Sequence, residues 1–312
     1  MAEREPNRYS RRDFLRYARE GAKIAGASYA LTYVGFEGVK ALPFQSEVTF
    51  SGRQQARLLQ ESMNQGERQA TIVLGGLTVK DASEITNPLT PTLERLDIGP
   101  IGNGIYAENA TDPDSFVAEM KKLQDNFGIN TFSFYGHSIG PHMAGQVIEA
   151  GEGVLAPYKL KYVFGDSTPP ESGYGHSPAA ENFISDIYPA GNDPLLTMAL
   201  NGLSYNGEVF HAGTARPPLL QSQIAASRDG SNLAIVASKL HEDNGKFVYL
   251  RAEDPTKDAV VDIVRSQPRL EEIFGDRMQT LLVGGPLQKH ANPQENIAGY
   301  SQALSQVKPI ER

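Results

Sequence analysis

The 312-residue sequence contains no cysteine and no tryptophan. Without cysteine the chain has no disulfide, no thiolate nucleophile and no Cys-ligated metal. Such a chain is compatible with either side of a membrane, so this absence leaves the compartment open. Basic residues are in the minority, with 29 Lys and Arg against 37 Asp and Glu and a net charge of −8. A nucleic-acid partner needs clustered cations to displace counterions, so none is expected. No His-Glu-x-x-His, EF-hand loop or Walker A segment occurs, which excludes the common metal and nucleotide signatures. Ile101-Gly-Asn-Gly-Ile-Tyr-Ala lacks the third glycine of a dinucleotide fingerprint. No metal and no cofactor is therefore expected.

What is present suits a globular domain. Hydrophobic residues make up 40% and are spread along the chain, enough to bury a sizeable core. The charge is uneven: residues 1–23 carry seven Lys and Arg against four Asp and Glu, a net of +3, and the rest carries −11. Residues 10–16, Ser-Arg-Arg-Asp-Phe-Leu-Arg, are similar to the twin-arginine export signal of bacteria, with Arg16 in place of its lysine. An uncharged stretch, 24–36, follows; it has the length of a signal core and is too short to span a bilayer. The resemblance implies export to an extracytoplasmic compartment. The alternative is a cytoplasmic protein whose N-terminal helix docks on the domain or on a membrane surface. In either case 1–44 is read as a signal or anchor segment and 45–312 as the folded domain.

Along that domain short apolar runs alternate with amphipathic ones. Residues 71–74, 103–108, 131–135, 158–164, 247–250 and 278–283 read as strands. A helix is expected from Asp112 to about Phe127, with Phe116, Met120, Leu123 and Phe127 on one face, and others at 53–63, 141–150 and after Asn296. In the last, Ile297, Tyr300 and Leu304 should pack on the sheet. Alternation of this kind implies right-handed crossovers and a mostly parallel α/β sheet. About eighty residues separate the strands ending at 164 and starting at 247, far more than a plain crossover needs. They are read as an inserted cap over about 168–245, with 233–236 as an alternative strand.

Chemistry concentrates at Tyr135-Gly136-His137-Ser138-Ile139-Gly140. A strand precedes Ser138 and a helix follows, so the serine falls on a sharp turn. Gly136 and Gly140 remove side chains that would collide where strand and helix meet. The helix N-terminus offers oriented N–H groups, that of Ile139 among them, to a developing oxyanion. The segment resembles the nucleophile elbow of α/β-hydrolase-fold esterases, lipases and thioesterases. A second copy of the first letters, Tyr174-Gly-His-Ser177-Pro178, has no strand before it, and Pro178 has no N–H to offer.

The resemblance implies an α/β-hydrolase fold and a triad in the chain order serine, acid, histidine. Of His137, His142, His176, His211, His241 and His290, only His290 follows the last strand, and it is the expected base. The acid should follow the penultimate strand. Asp258-Ala-Val-Val resembles the family's Asp-x-x-Val turn and is preferred; Asp254, nearer the strand end, and Asp166, after the earlier strand, are the alternatives. Gly75-Gly76-Leu77 stands where the family has His-Gly-x, which makes the Leu77 N–H the expected second oxyanion donor. The family's opening β-hairpin is replaced by a single extended segment, 47–50, so the sheet is expected to lack an edge strand. The implied activity is cleavage of a carboxylic ester or thioester of a small-molecule acyl substrate. An acyltransferase with the same residues, and a non-catalytic binding protein on this fold, are the alternatives.

Overall fold

The computed structural model describes residues 45–310, apart from 65, 77–78, 80, 84–86, 108–109, 172–173, 175–216, 259 and 291. The export-like motif, the look-alike at Ser177 and His211 lie outside these residues.

Seven strands form one sheet among the described residues: β1 (Glu47–Phe50), β2 (Gln69–Leu74), β3 (Ile101–Ile105), β4 (Thr131–His137), β5 (Lys159–Asp166), β6 (Lys246–Ala252) and β7 (Met278–Val283). Their spatial order is β1-β3-β2-β4-β5-β6-β7. β1 pairs antiparallel with β3, and every other pair is parallel. The extended segment 47–50 is β1 and is itself an edge strand, so, contrary to expectation, this edge of the sheet is not left without one. Every residue of β2 is buried, as a parallel strand covered on both faces requires.

Side chains alternate between two cores. Ile72, Leu74, Phe134, Val163 and Phe247 enter one, while Val73, Tyr135, Phe164 and Val248 enter the other. The first core is closed by α1 (Gly52–Met63), α3 (Pro113–Phe127), α4 (Gly140–Gly151), α6 (Ser231–Glu242) and α7 (Ile263–Phe274). The second is closed by α2 (Thr90–Leu93) and α8 (Ile297–Leu304). The start of α3 shows why such helices begin where they do. The Asp112 carboxylate accepts the Ser115 N–H, Pro113 occupies the first turn, and Gly128 ends the helix at φ 66°.

The structure differs from the sequence reading at four further places. Residues 233–236 belong to α6, not to a strand. Leu233, Val236 and Leu240 of that helix join the main core, so 231–242 is the crossover between β5 and β6 and not cap. Of the earlier part of the expected cap, 175–216 lies outside the described residues, and α5 (Pro217–Arg228) precedes α6. In α8, Tyr300 and Leu304 are buried as expected, but Ile297 is exposed because it opens the helix. Helix α7 is an addition. Asp262 caps it, and Pro268 in its middle hides the helical pattern.

Gly145 of α4 marks a close approach between α4 and α6. A Cβ there would lie 2.3 Å from the Asn232 carbonyl oxygen of α6. Gly145→Ala should force the two helices apart and lower stability by about 1–3 kcal/mol. Denaturant unfolding measures it, with an unchanged midpoint as the contrary result.

Candidate active site

Parallel register brings the C-terminal ends of the central strands to one rim. Leu74 pairs with Gly136, His137 with Asp166, and Asp166 with Leu250. Ser138 stands on this rim, between β4 and α4, and is 7% exposed. Its φ is 53°, in the left-handed region that costs a residue with a Cβ about 1–2 kcal/mol. The neighbours hold it there. A Cβ on Gly136 would lie 2.3 Å from Pro141 Cδ, and one on Gly140 would lie 2.6 Å from the Leu74 carbonyl oxygen. Both positions therefore admit only glycine. The Ser138 N–H donates to the Asp166 carbonyl at 2.7 Å, which pins the turn to β5. Ile139 is the N-cap of α4, where backbone N–H groups lack intrahelical partners.

His290 lies beside this turn. Its ring centroid is 6.0 Å from that of His137, edge to face. Its Nδ1 is 3.0 and 3.1 Å from the two Asp258 carboxylate oxygens. A carboxylate only accepts, so Nδ1 carries the proton and Nε2 is the ring's accepting nitrogen. Asp258 is fully buried, and its Oδ1 also accepts the N–H groups of Val260 and Val261 at 3.0 and 2.8 Å. Burial pushes this carboxyl up, but the charge and hydrogen bond of His290 and the two backbone donors outweigh it. Asp258 is held below the ordinary carboxylate range. Val261 is itself buried and anchors the turn.

The two alternative acids are elsewhere engaged. Asp254 is half-buried and caps the short 3-10 turn Pro255–Lys257, accepting from Thr256 N–H and Oγ1 at 3.0 and 2.7 Å. Asp166 is fully buried and accepts the hydroxyls of Tyr135 and Tyr300 at 3.1 and 2.8 Å. Burial drives its carboxyl up to about 7, with the two hydroxyls acting against the shift. His142 is fully buried in α4 and donates Nε2–H to the Pro169 carbonyl at 2.9 Å; burial pulls it down to about 4 and keeps it neutral. His241 lies in the last turn of α6, on the outside.

The loop after β2 touches the elbow. A Cβ on Gly76 would lie 2.9 Å from Ser138 Cβ and 2.6 Å from His137 Nδ1, so only glycine fits. Leu77 lies outside the described residues. Two side chains with no sequence signal hold this loop. Tyr106 Oη donates to the Gly75 carbonyl at 3.0 Å, and Gln223 Nε2 donates to the Gly76 and Val79 carbonyls at 3.1 Å each.

No protein-family model matches the chain, and no curated protein matches it by sequence. Solved structures do match. A lipase-esterase related protein from Clostridium acetobutylicum aligns over 84% of this chain and 99% of its own at a TM-score of 0.52 and 12% identity. A candidate non-heme bromoperoxidase from Mycobacterium tuberculosis aligns over 85% and 95% at 0.51 and 13%. The chain thus has the α/β-hydrolase fold: a mostly parallel sheet flanked by helices.

Asp166 makes a pH prediction. Its carboxyl titrates at 3.8 when ordinary and at about 7 when folded, so the folded state binds the proton more tightly. The stabilisation is complete below about pH 4 and is lost as pH rises through about 7. Asparagine offers the two tyrosines one donor and one acceptor, as the protonated acid does. Asp166→Asn should melt close to wild type at about pH 4 and increasingly above it toward about pH 8. Thermal unfolding across that range measures the gap; a constant gap would contradict the assignment.

Proposed function

We propose that the protein is a serine hydrolase that cleaves a carboxylic ester or thioester through an acyl-enzyme on Ser138. The single observation that carries this reading is the ionised Asp258 paired with His290 Nδ1, beside a serine held at φ 53°. Asp258 orients the imidazole and stabilises the imidazolium. His290 Nε2 takes the Ser138 hydroxyl proton as Oγ attacks the substrate carbonyl. The oxyanion accepts from the backbone N–H of Ile139 and of the loop after β2, with Leu77 as the second donor. The imidazolium returns its proton to the departing alkoxide or thiolate. Water, deprotonated by His290, then attacks the acyl-enzyme and releases the acid and free Ser138.

The segment between β5 and α6 is proposed to shape the acyl pocket, since Gln223 of α5, in its described part, meets the loop after β2. A fluorophosphonate probe should label wild type at Ser138 and leave Ser138→Ala unlabelled. Hydrolysis of p-nitrophenyl esters should fall about 10⁴-fold or more in Ser138→Ala, His290→Ala and Asp258→Asn. A wild type inert to both probe and esters would count against the reading.

For the N-terminal segment we propose export. The support is Arg11-Arg12 ahead of the uncharged stretch 24–36. Replacing both arginines by lysine should retain the protein in the cytoplasm on fractionation; unchanged distribution would defeat this proposal.

A further inference from the structure

An oxyanion donor works only if its N–H direction is set before the reaction begins. The loop after β2 is poorly equipped for that, because Gly75 and Gly76 have no side chains to restrain their peptide planes. The restraint comes from outside the loop. Tyr106 Oη grips the Gly75 carbonyl at 3.0 Å. Gln223 Nε2 grips the Gly76 and Val79 carbonyls together, and the Val79 N–H closes the turn onto the Gly76 carbonyl at 3.2 Å.

The described chain has no cis peptide. In a trans peptide the C=O and N–H point in opposite directions from one rigid plane. Gripping the Gly75 carbonyl therefore aims the Gly76 N–H, and gripping the Gly76 carbonyl fixes the other side of the same residue. Gly76 is the residue packed on Ser138, so its backbone borders the nucleophile.

The two anchors are dry and well braced. Tyr106 is 1% exposed and Gln223 0%. A buried amide is a costly choice where an apolar residue would fill the space, unless its hydrogen bonds are needed. Helix α5, which carries Gln223, is itself tied down by the neighbouring Ser222. Its hydroxyl accepts the Thr111 N–H at 3.1 Å and lies 2.8 Å from Thr111 Oγ1.

We propose that Gln223, with Tyr106 as a second anchor, is a positioning residue that presets the oxyanion loop at Gly76 by holding the Gly75, Gly76 and Val79 carbonyls. This inference rests on the serine-hydrolase reading. It adds that the segment between β5 and α6 supplies part of the catalytic geometry as well as a pocket wall.

The test uses the full chain, with p-nitrophenyl acetate as substrate and a trifluoromethyl ketone as a reversible inhibitor whose adduct places an oxyanion in the hole. Gln223→Met keeps the volume and removes the amide donors. Its kcat should fall about 10- to 100-fold while KM stays within about threefold. Inhibition by the ketone should weaken by a similar factor. The final stoichiometry of fluorophosphonate labelling at Ser138 should equal that of wild type, which a partly unfolded population would not allow. Tyr106→Phe removes one hydroxyl and should show the same pattern at about 3- to 10-fold. It decides the matter if Gln223→Met does not fold. Wild-type kcat and ketone affinity in a folded variant, or a loss of kcat matched by a loss of labelled fraction, would overturn the inference. A wild type that fluorophosphonate does not label at Ser138 would overturn the hydrolase reading and this inference together.

Discussion

Parallel pairing is the constraint on which the rest of this structure depends. Strands that run the same way must each be followed by a crossover, and every crossover leaves from the same rim. Residues remote in sequence are delivered to that rim. Asp258 meets His290 from 32 positions away, Tyr300 meets Asp166 from 134, and Gln223 meets Gly76 from 147. Register brings the ends of these strands, Leu74, His137 and Asp166, level with one another.

The same rim buries two carboxyls, and their surroundings drive them apart. Asp258 has an imidazole and two peptide N–H groups, which together outweigh burial. Asp166 has two phenol hydroxyls, which do not. Each carboxylate also disfavours ionisation of its neighbour, and Asp258 adds to the upward shift of Asp166. Of the two, Asp258 is the one that carries its charge below about pH 7, and that charge sits against His290. Burial keeps the second acid neutral, against the hydroxyls of Tyr135 from β4 and Tyr300 from α8, which favour its charged form.

Local chemistry made much of this legible in the sequence. The strand before Ser138 and the helix after it were readable because apolar runs and glycines change period within ten residues. Asp258 could be preferred because Val261 supplies the apolar end of its turn. Tertiary context hid the rest. Leu233 to Val236 is an apolar, partly β-branched run that suits either a strand or a buried helix, and packing against α4 decides for the helix. Pro268 masks α7, although the Asp262 cap was there to be read. Asp166 and Asp254 look alike on paper; one is sealed under tyrosines and the other caps a 3-10 turn. Gln223 had no signal at all, since a polar residue in a Gly-, Pro- and Ser-rich stretch declares a role only when its two carbonyl partners come into view.

The left-handed backbone of Ser138 has a consequence for how this sequence drifts. At φ 53° a glycine is more comfortable than any residue with a Cβ. A chain selected for thermal endurance alone would be pulled toward glycine at position 138, through a single substitution. The turn thus holds a serine where the backbone alone would favour glycine.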